Sequence, residues 1–393
     1  MYLLPKPKTI KEQDGQMLLC HSTHIVMTKE VAETEMHAAK RLQEAIRQET
    51  GLILPFSVGE VREGDLSLGI AKTLPEQTYE ITIDEKGGQI SGGDGAGVLY
   101  GVETFCQIVQ QCGGILPCVQ IQDAPDMPNR GYYFDQTRGR VLKLEELKKI
   151  ADRMCRYKLN QLQLYVEHTY LFRDFSEMWR DQTPLTAEEI RELDSYCRER
   201  HIELVPSLAS FGHLCTLLST KTYGDLCEME DSWKEPFSFW NRMRYHTINV
   251  SDERSLPLIK KMIAEYMQLF SSNKFNICAD ETFCLGKYKS KKLAEERGVH
   301  RLYIDYVKEL AQFLVENGKI PMFWGDIIWN SPELMKELPE SMICLNWGYA
   351  PEQREDETRA IAQTGAVQYL CPGVCGWNQW ANLIENSYKN ITR

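Results

Sequence analysis

Over residues 31–50 (VAETEMHAAKRLQEAIRQET) the apolar positions recur at helical spacing, and the pattern stops at Gly51. Residues 79–84 alternate apolar with polar, Gly87-Gly88 supplies a turn, and the alternation resumes at 89–91, which predicts two strands. The glycine-rich stretch 92–97 leads into a helical run over 98–111. It lacks the lysine of a phosphate-binding loop and the spacing of a dinucleotide fingerprint, so it reads as a connector. Segment 122–129, QDAPDMPN, holds two prolines and two aspartates and reads as a linker. A small N-terminal α/β domain is therefore expected over 1–127.

From Arg130 onward the pattern becomes strand, then helix, repeatedly. Strands are predicted over 130–137, 159–166, 203–210, 274–279, 321–328, 341–347 and 366–374. Helical stripes fall between them: Leu144, Leu147, Ala151 and Met154, then 258–270 and 302–316. A capping box, Thr186 to Glu189, opens another that runs to Arg200. Alternation at this interval predicts a parallel α/β fold. The polar and aromatic residues that could do chemistry (Glu167, His213, Asp280, Glu281, Asp326, Trp347) fall at strand C-terminal ends, the rim where a (β/α)8 barrel builds its site. Residues 128–393 are thus expected to form a TIM-type barrel. Seven strands are legible and eight close a barrel, so either one strand escapes the pattern or the last, as the fold is read here, is missing, and an open edge would allow a homo-oligomer.

Composition narrows the partners. The 393 residues carry a formal net charge of −11, which disfavours nucleic acid and anionic membranes and leaves a neutral ligand such as a sugar unopposed. No stretch approaches the ~20 apolar residues of a membrane span, and MYLLPKPKTIKEQDGQ is unlike a secretory leader. The 13 cysteines form no C-x-x-C pair. Reduced thiols, a cytoplasmic location and no zinc cluster are the expectation.

The segment with the most chemistry is KFNICADETF, 274–283, a short apolar strand ending in adjacent carboxylates. Asp and Glu also cap helix N-termini, but Leu285-Gly286-Lys287, just beyond the pair, reads as a loop rather than a helical stripe. Glycoside hydrolysis commonly uses two carboxyl groups, one of them a proton donor. Neighbouring residues are badly placed to flank a sugar ring from both faces. The pair suits a reaction in which the sugar's own 2-acetamido oxygen is the nucleophile and one carboxylate orients it.

The Asp280-Glu281 pair resembles that of glycoside hydrolase family 20, the β-N-acetylhexosaminidases. Further segments are similar in the same order: 97–107 (GVLYGVETFCQ), Asn129-Arg130-Gly131 with Asp135, 157–165 (YKLNQLQLY), Phe211-Gly212-His213, Phe323-Trp324-Gly325-Asp326 and Asn346-Trp347-Gly348. The second strand runs into Glu167-His168-Thr169-Tyr170, as in a bacterial branch. The resemblance implies Glu281 as general acid and then base, and Asp280 as the group holding the acetamido N–H and stabilising an oxazolinium ion. It implies Arg130 on ring hydroxyls, His213, Glu167 and Asp326 as polar support, Trp324, Trp347 and Trp377 as walls of the acetamido pocket, and Tyr349 on the acetamido oxygen. Neither metal nor cofactor is implied, and the partners would be glycans ending in GlcNAc or GalNAc.

Each residue also has a plainer reading. Arg130 could cap the linker, His213 could be structural, and Trp179, Trp233, Trp240 and Trp380 read as packing or loop residues. Where the family commonly has glycines before the pair, this chain has Cys278 and Ala279. Two further functions remain open at this level. One is a non-catalytic carbohydrate-binding protein. The other is a metal-dependent hydrolase using Asp280, Glu281, His213 and Asp326.

Overall fold

The computed structural model describes residues 1–352, 354–374 and 384–392. Two compact units form: Met1–Tyr132 with Glu145–Leu162 and Ser195–Glu203, and Tyr133–Leu144 with Gln163–Asp194 and Leu204–Arg393. Two stretches beyond position 127 therefore belong to the first unit.

The first unit is built on a seven-stranded sheet: β1 (Thr9–Leu18), β2 (Ile25–Met27), β3 (Phe56–Val58), β4 (Leu66–Ile70), β5 (Tyr79–Asp84), β6 (Gly87–Gly92) and β7 (Ile115–Asp123), in the order β1-β7-β5-β6-β4-β2-β3. Alternation sends Tyr79, Ile81 and Ile83 of β5 into the core. Helix Gly95–Cys112 packs on this sheet and is buried along most of its length. The expected helix over 31–50 is broken at Glu35 into Lys29–Thr34 and Met36–Thr50. Glu35 leaves helical geometry, and its carboxylate lies 2.8 Å from His201 Nε2. The connector 92–97 is a helix cap: Asp94 Oδ1 accepts from Gly97 N at 2.7 Å and from Gln77 N at 3.0 Å.

The second sheet has β8 (Gly131–Asp135), β9 (Gln161–Val166), β10 (Glu203–Leu208), β11 (Lys274–Asn276), β12 (Ile320–Trp324), β13 (Ile343–Gly348) and β14 (Val367–Pro372), each beside its predecessor in sequence. β10 to β14 pair in parallel. Helices such as Leu144–Arg156, Ala187–Arg198, Ser255–Met267 and Val299–Glu316 fall between successive strands. This is the α/β barrel architecture, with seven strands in barrel order among the described residues. Every strand is shorter than its apolar run suggested. β11 ends at Asn276, whose side-chain oxygen takes the Cys278 N–H at 2.8 Å and turns the chain off the ladder. Among the described residues, no helix is long and apolar enough to cross a membrane.

Candidate active site

Past Asn276 the backbone enters the left-handed region three times: φ is 58° at Cys278, 62° at Ala279 and 48° at Glu281. Each such non-glycine residue costs roughly 1 kcal/mol. The kinks break the pleat, so adjacent side chains that a strand would send to opposite faces come together. Asp280 Oδ2 and Glu281 Oε2 each lie 3.3 Å from His213 Nε2. The strained turn is held from several sides. Asp326 Oδ2 accepts the Glu281 N–H at 2.9 Å. Tyr303 OH donates to Ala279 O and Tyr306 OH to Ser210 O, both at 3.0 Å, from helix Val299–Glu316. Ser210 Oγ donates to Ile277 O at 2.6 Å. Gly212 lies against the turn, and a Cβ there would come within 2.6 Å of Asp280 O. The Phe211-Gly212-His213 segment thus needs its glycine for close approach.

Electrostatics divide the site by charge. Burial alone would pull the His213 imidazole down, but the Asp280 charge and hydrogen bonding to Asp280 and Glu281 raise it to about 10. The shift favours the protonated imidazole, with the Asp280 charge as its counter-charge. The Asp326 carboxyl is pushed well above the usual range by burial and by the Asp280 charge, and the Glu281 N–H offsets only part of this. A second cluster surrounds Glu167, which accepts from Tyr165 OH and from Arg242 Nη2, both at 2.9 Å. Burial favours its neutral form, yet Arg242 and Arg138 hold it below its ordinary value. Arg138 Nε donates to Asp135 Oδ2 at 2.8 Å, and its guanidinium lies 4.7 Å over the Tyr165 ring. Asp280 Oδ1 is shielded from water and has no hydrogen-bond partner among the described residues.

The structure brings Glu167, His213, Asp280, Glu281 and Asp326 together at the C-terminal side of the second sheet. Trp324 is buried with its ring edge-on to Tyr133, 4.9 Å between centroids. Trp347 lies 5.0 Å from Tyr349 and 6.2 Å from Trp329. Trp377 lies outside the described residues. Arg130 is not part of this group. It precedes β8, at the end of the strand opposite the carboxylates, and donates to Lys158 O, Gln77 Oε1 and Tyr100 OH at 2.9, 2.9 and 3.2 Å. These bonds lock the linker, the plainer of its two readings. The guanidinium at the other end of β8 is Arg138, which sequence reasoning passed over. The rim rule that flagged Glu167 after β9 flags Arg138 after β8 equally well. Arg242 sits on the short helix Phe239–Arg244, and nothing in the sequence marked it.

The ligand atoms of His213, Asp280 and Glu281 lie within 4.8 Å of one another, a donor set that a metal could use. A protonated imidazole offers no lone pair, so a metal would have to displace the proton that the carboxylates stabilise.

Comparison with known proteins decides the family. A model of the family's domain 2 matches residues 1–124, and a model of its catalytic domain matches residues 128–382. The chain belongs to glycosyl hydrolase family 20. A beta-hexosaminidase of Porphyromonas gingivalis is 24% identical, over 95% of this chain and 50% of that protein. One of Vibrio furnissii is 26% identical, over 71% of this chain and 48% of its own length. The chain spans about half the length of these curated relatives. The fold matches the beta-N-acetylhexosaminidase of Bacteroides fragilis at a TM-score of 0.75 and 18% identity, covering 93% of this chain and 74% of that one. It also matches an exo-beta-N-acetylglucosaminidase of Vibrio harveyi, solved with N-acetylglucosamine, at 0.77 and 19% identity, covering 94% and 60%.

Proposed function

We propose that the chain is an exo-acting β-N-acetylhexosaminidase that removes terminal non-reducing GlcNAc or GalNAc by a substrate-assisted, retaining mechanism. The observation that carries this reading is the buried, unpartnered Asp280 Oδ1 next to Glu281 and the His213 cation. An acetamido N–H is the donor that would satisfy it. With that bond made, the acetamido oxygen attacks C1 while Glu281 gives its proton to the glycosidic oxygen and the C1–O bond breaks. The oxazolinium ion so formed places positive charge where Asp280 faces it. Water then attacks C1, Glu281 takes its proton, and the ring opens. Two inversions at C1 give overall retention.

Within this reading Arg138 and Glu167 bind ring hydroxyls, a guanidinium fork suiting two vicinal oxygens. Trp324 and Trp347 wall the acetamido methyl group, and Tyr349 is the candidate donor to the acetamido oxygen. His213 fixes both carboxylates, and Asp326 holds the Glu281 backbone. The test is hydrolysis of an aryl N-acetyl-β-glucosaminide beside the matching β-glucoside, with and without a chelator. Selective cleavage of the first, indifferent to chelator, is expected. Comparable cleavage of both would make an enzyme carboxylate the nucleophile, loss with chelator would favour the metal-dependent hydrolase, and binding without cleavage a carbohydrate-binding role.

A further inference from the structure

Glu228 is completely buried, and among the described residues its carboxylate meets only backbone N–H groups and one hydroxyl. Its Oε1 accepts from Tyr288 N at 3.2 Å, from Ser290 N at 3.0 Å and from Ser290 Oγ at 2.7 Å. Its Oε2 has no hydrogen-bond partner among the described residues. Ser290 is itself buried, and its Oγ takes the Gly286 N–H at 3.0 Å. A carboxylate this deep is costly unless donors compensate it, and an apolar side chain would fill the space at less cost. What the carboxylate does here is fasten a loop.

That loop, 282–290, begins directly after Glu281. Phe283 N donates to Glu281 O at 2.7 Å, and the Cys284 thiol donates to Arg244 O at 3.0 Å. The Glu228 backbone reaches the other half of the site. Its N–H donates to Thr247 O at 2.9 Å, and its O accepts from Lys289 N at 3.3 Å. Thr247 stands between the two residues that bracket the His213 turn. Ile248 N donates to Phe211 O at 3.0 Å, and Leu214 N donates to His246 O at 3.1 Å. One residue therefore joins the segment that brackets His213 to the loop that follows Glu281, and His213 and Glu281 are the side chains that meet at 3.3 Å.

We propose that Glu228 is a positioning residue for the general acid: by tying the loop after Glu281 to the segment that brackets His213, it sets where the Glu281 carboxyl stands against the glycosidic oxygen. The inference rests on the reading of Glu281 as acid. Proton transfer needs donor and acceptor within hydrogen-bond reach, so it is the step that suffers when the loop relaxes. The clamp needs an acceptor rather than a charge. A glutamine keeps one oxygen for the same donors and puts its NH2 where Oε2 lies unpartnered, so Glu228→Gln retains the clamp and Glu228→Ala removes it.

The experiment compares both variants with the unaltered chain on two aryl N-acetyl-β-glucosaminides. One has a dinitrophenyl aglycone, which departs without a proton, and the other a phenyl aglycone, which needs one. A misplacement of about 1 Å costs on the order of 100-fold, so Glu228→Ala should lose roughly that in kcat/KM on the phenyl substrate, carried by kcat, and less than about threefold on the dinitrophenyl substrate. Glu228→Gln should stay near the unaltered chain on both. Equal losses on the two substrates, no loss on the phenyl substrate, or the same loss in Glu228→Gln would overturn the clamp. If Glu228→Ala does not fold, Ser290→Ala removes only the 2.7 Å bond and should show the same leaving-group pattern at smaller size; its absence there overturns the clamp too. Should the unaltered chain cleave neither substrate, the reading of Glu281 as acid fails. Hydrogen exchange at the Glu281 N–H, which Asp326 holds at 2.9 Å, then judges separately whether Glu228 positions the turn. Faster exchange in Glu228→Ala but not in Glu228→Gln supports it, and equal exchange in all three chains refutes it.

Discussion

Replacing His213 by Gln removes the cation between Asp280 and Glu281 while keeping a hydrogen-bonding side chain of similar reach. The imidazole is raised from 6.5 to about 10 in the folded chain. A group whose folded value lies above its unfolded value adds stability that is full below pH 6.5 and lost as pH climbs to 10. At 1.36 kcal/mol per tenfold the ceiling is about 5 kcal/mol. The two carboxylate side chains are 19% and 25% exposed, and water that reaches them reduces this to on the order of 2–3 kcal/mol. Urea unfolding of both proteins at several values from pH 6 to pH 10 measures it. The difference between them is expected to be largest at pH 6 and to shrink steadily above pH 7. Buried thiols raised by desolvation, such as Cys106 and Cys278, titrate alike in both proteins and cancel. A difference that stays flat over the range would show that His213 is not held as a cation, and its role as the clasp of the pair would fall.

Glu281→Gln keeps the shape but cannot donate a proton, so turnover of an unactivated glycoside should fall by about 10²–10⁴-fold; a near-native rate would remove Glu281 from the role of acid. Asp280→Asn should weaken inhibition by a thiazoline mimic of the oxazolinium ion far more than binding of N-acetylglucosamine, as competitive inhibition constants would show. Ala279→Gly relieves the left-handed strain at φ 62° and should raise stability by about 0.5–1 kcal/mol in the same urea assay; a loss beyond 1 kcal/mol would contradict that geometry.

Alternation and helical stripes marked all seven strands of the second sheet, because buried parallel strands such as β12 read as near-continuous apolar runs. β1 escaped for the converse reason. Most of its positions are exposed, and its polar sequence carries no period to read. At the site, Asp280 and Glu281 were legible as chemistry at the end of an apolar strand, but not the left-handed turns that bring them together. Those depend on Tyr303 and Asp326, far along the chain, holding Ala279 O and Glu281 N. Arg130 and Arg138 flank the same strand, and the sequence alone does not say that the end bearing Arg138 faces the site. Trp240 read as a packing or loop residue, and it lies exposed on the short helix Phe239–Arg244.

That Asp280 and Glu281 are neighbours along one turn has a mechanical consequence. Groups contributed by different strands drift apart or together as a sheet breathes. Here the spacing between the two is governed by a single peptide unit, so thermal motion of the barrel carries them as one body. Their mutual register is insensitive to slippage between strands, and what such motion alters is where the pair sits against Arg138, Glu167, Trp324 and Trp347.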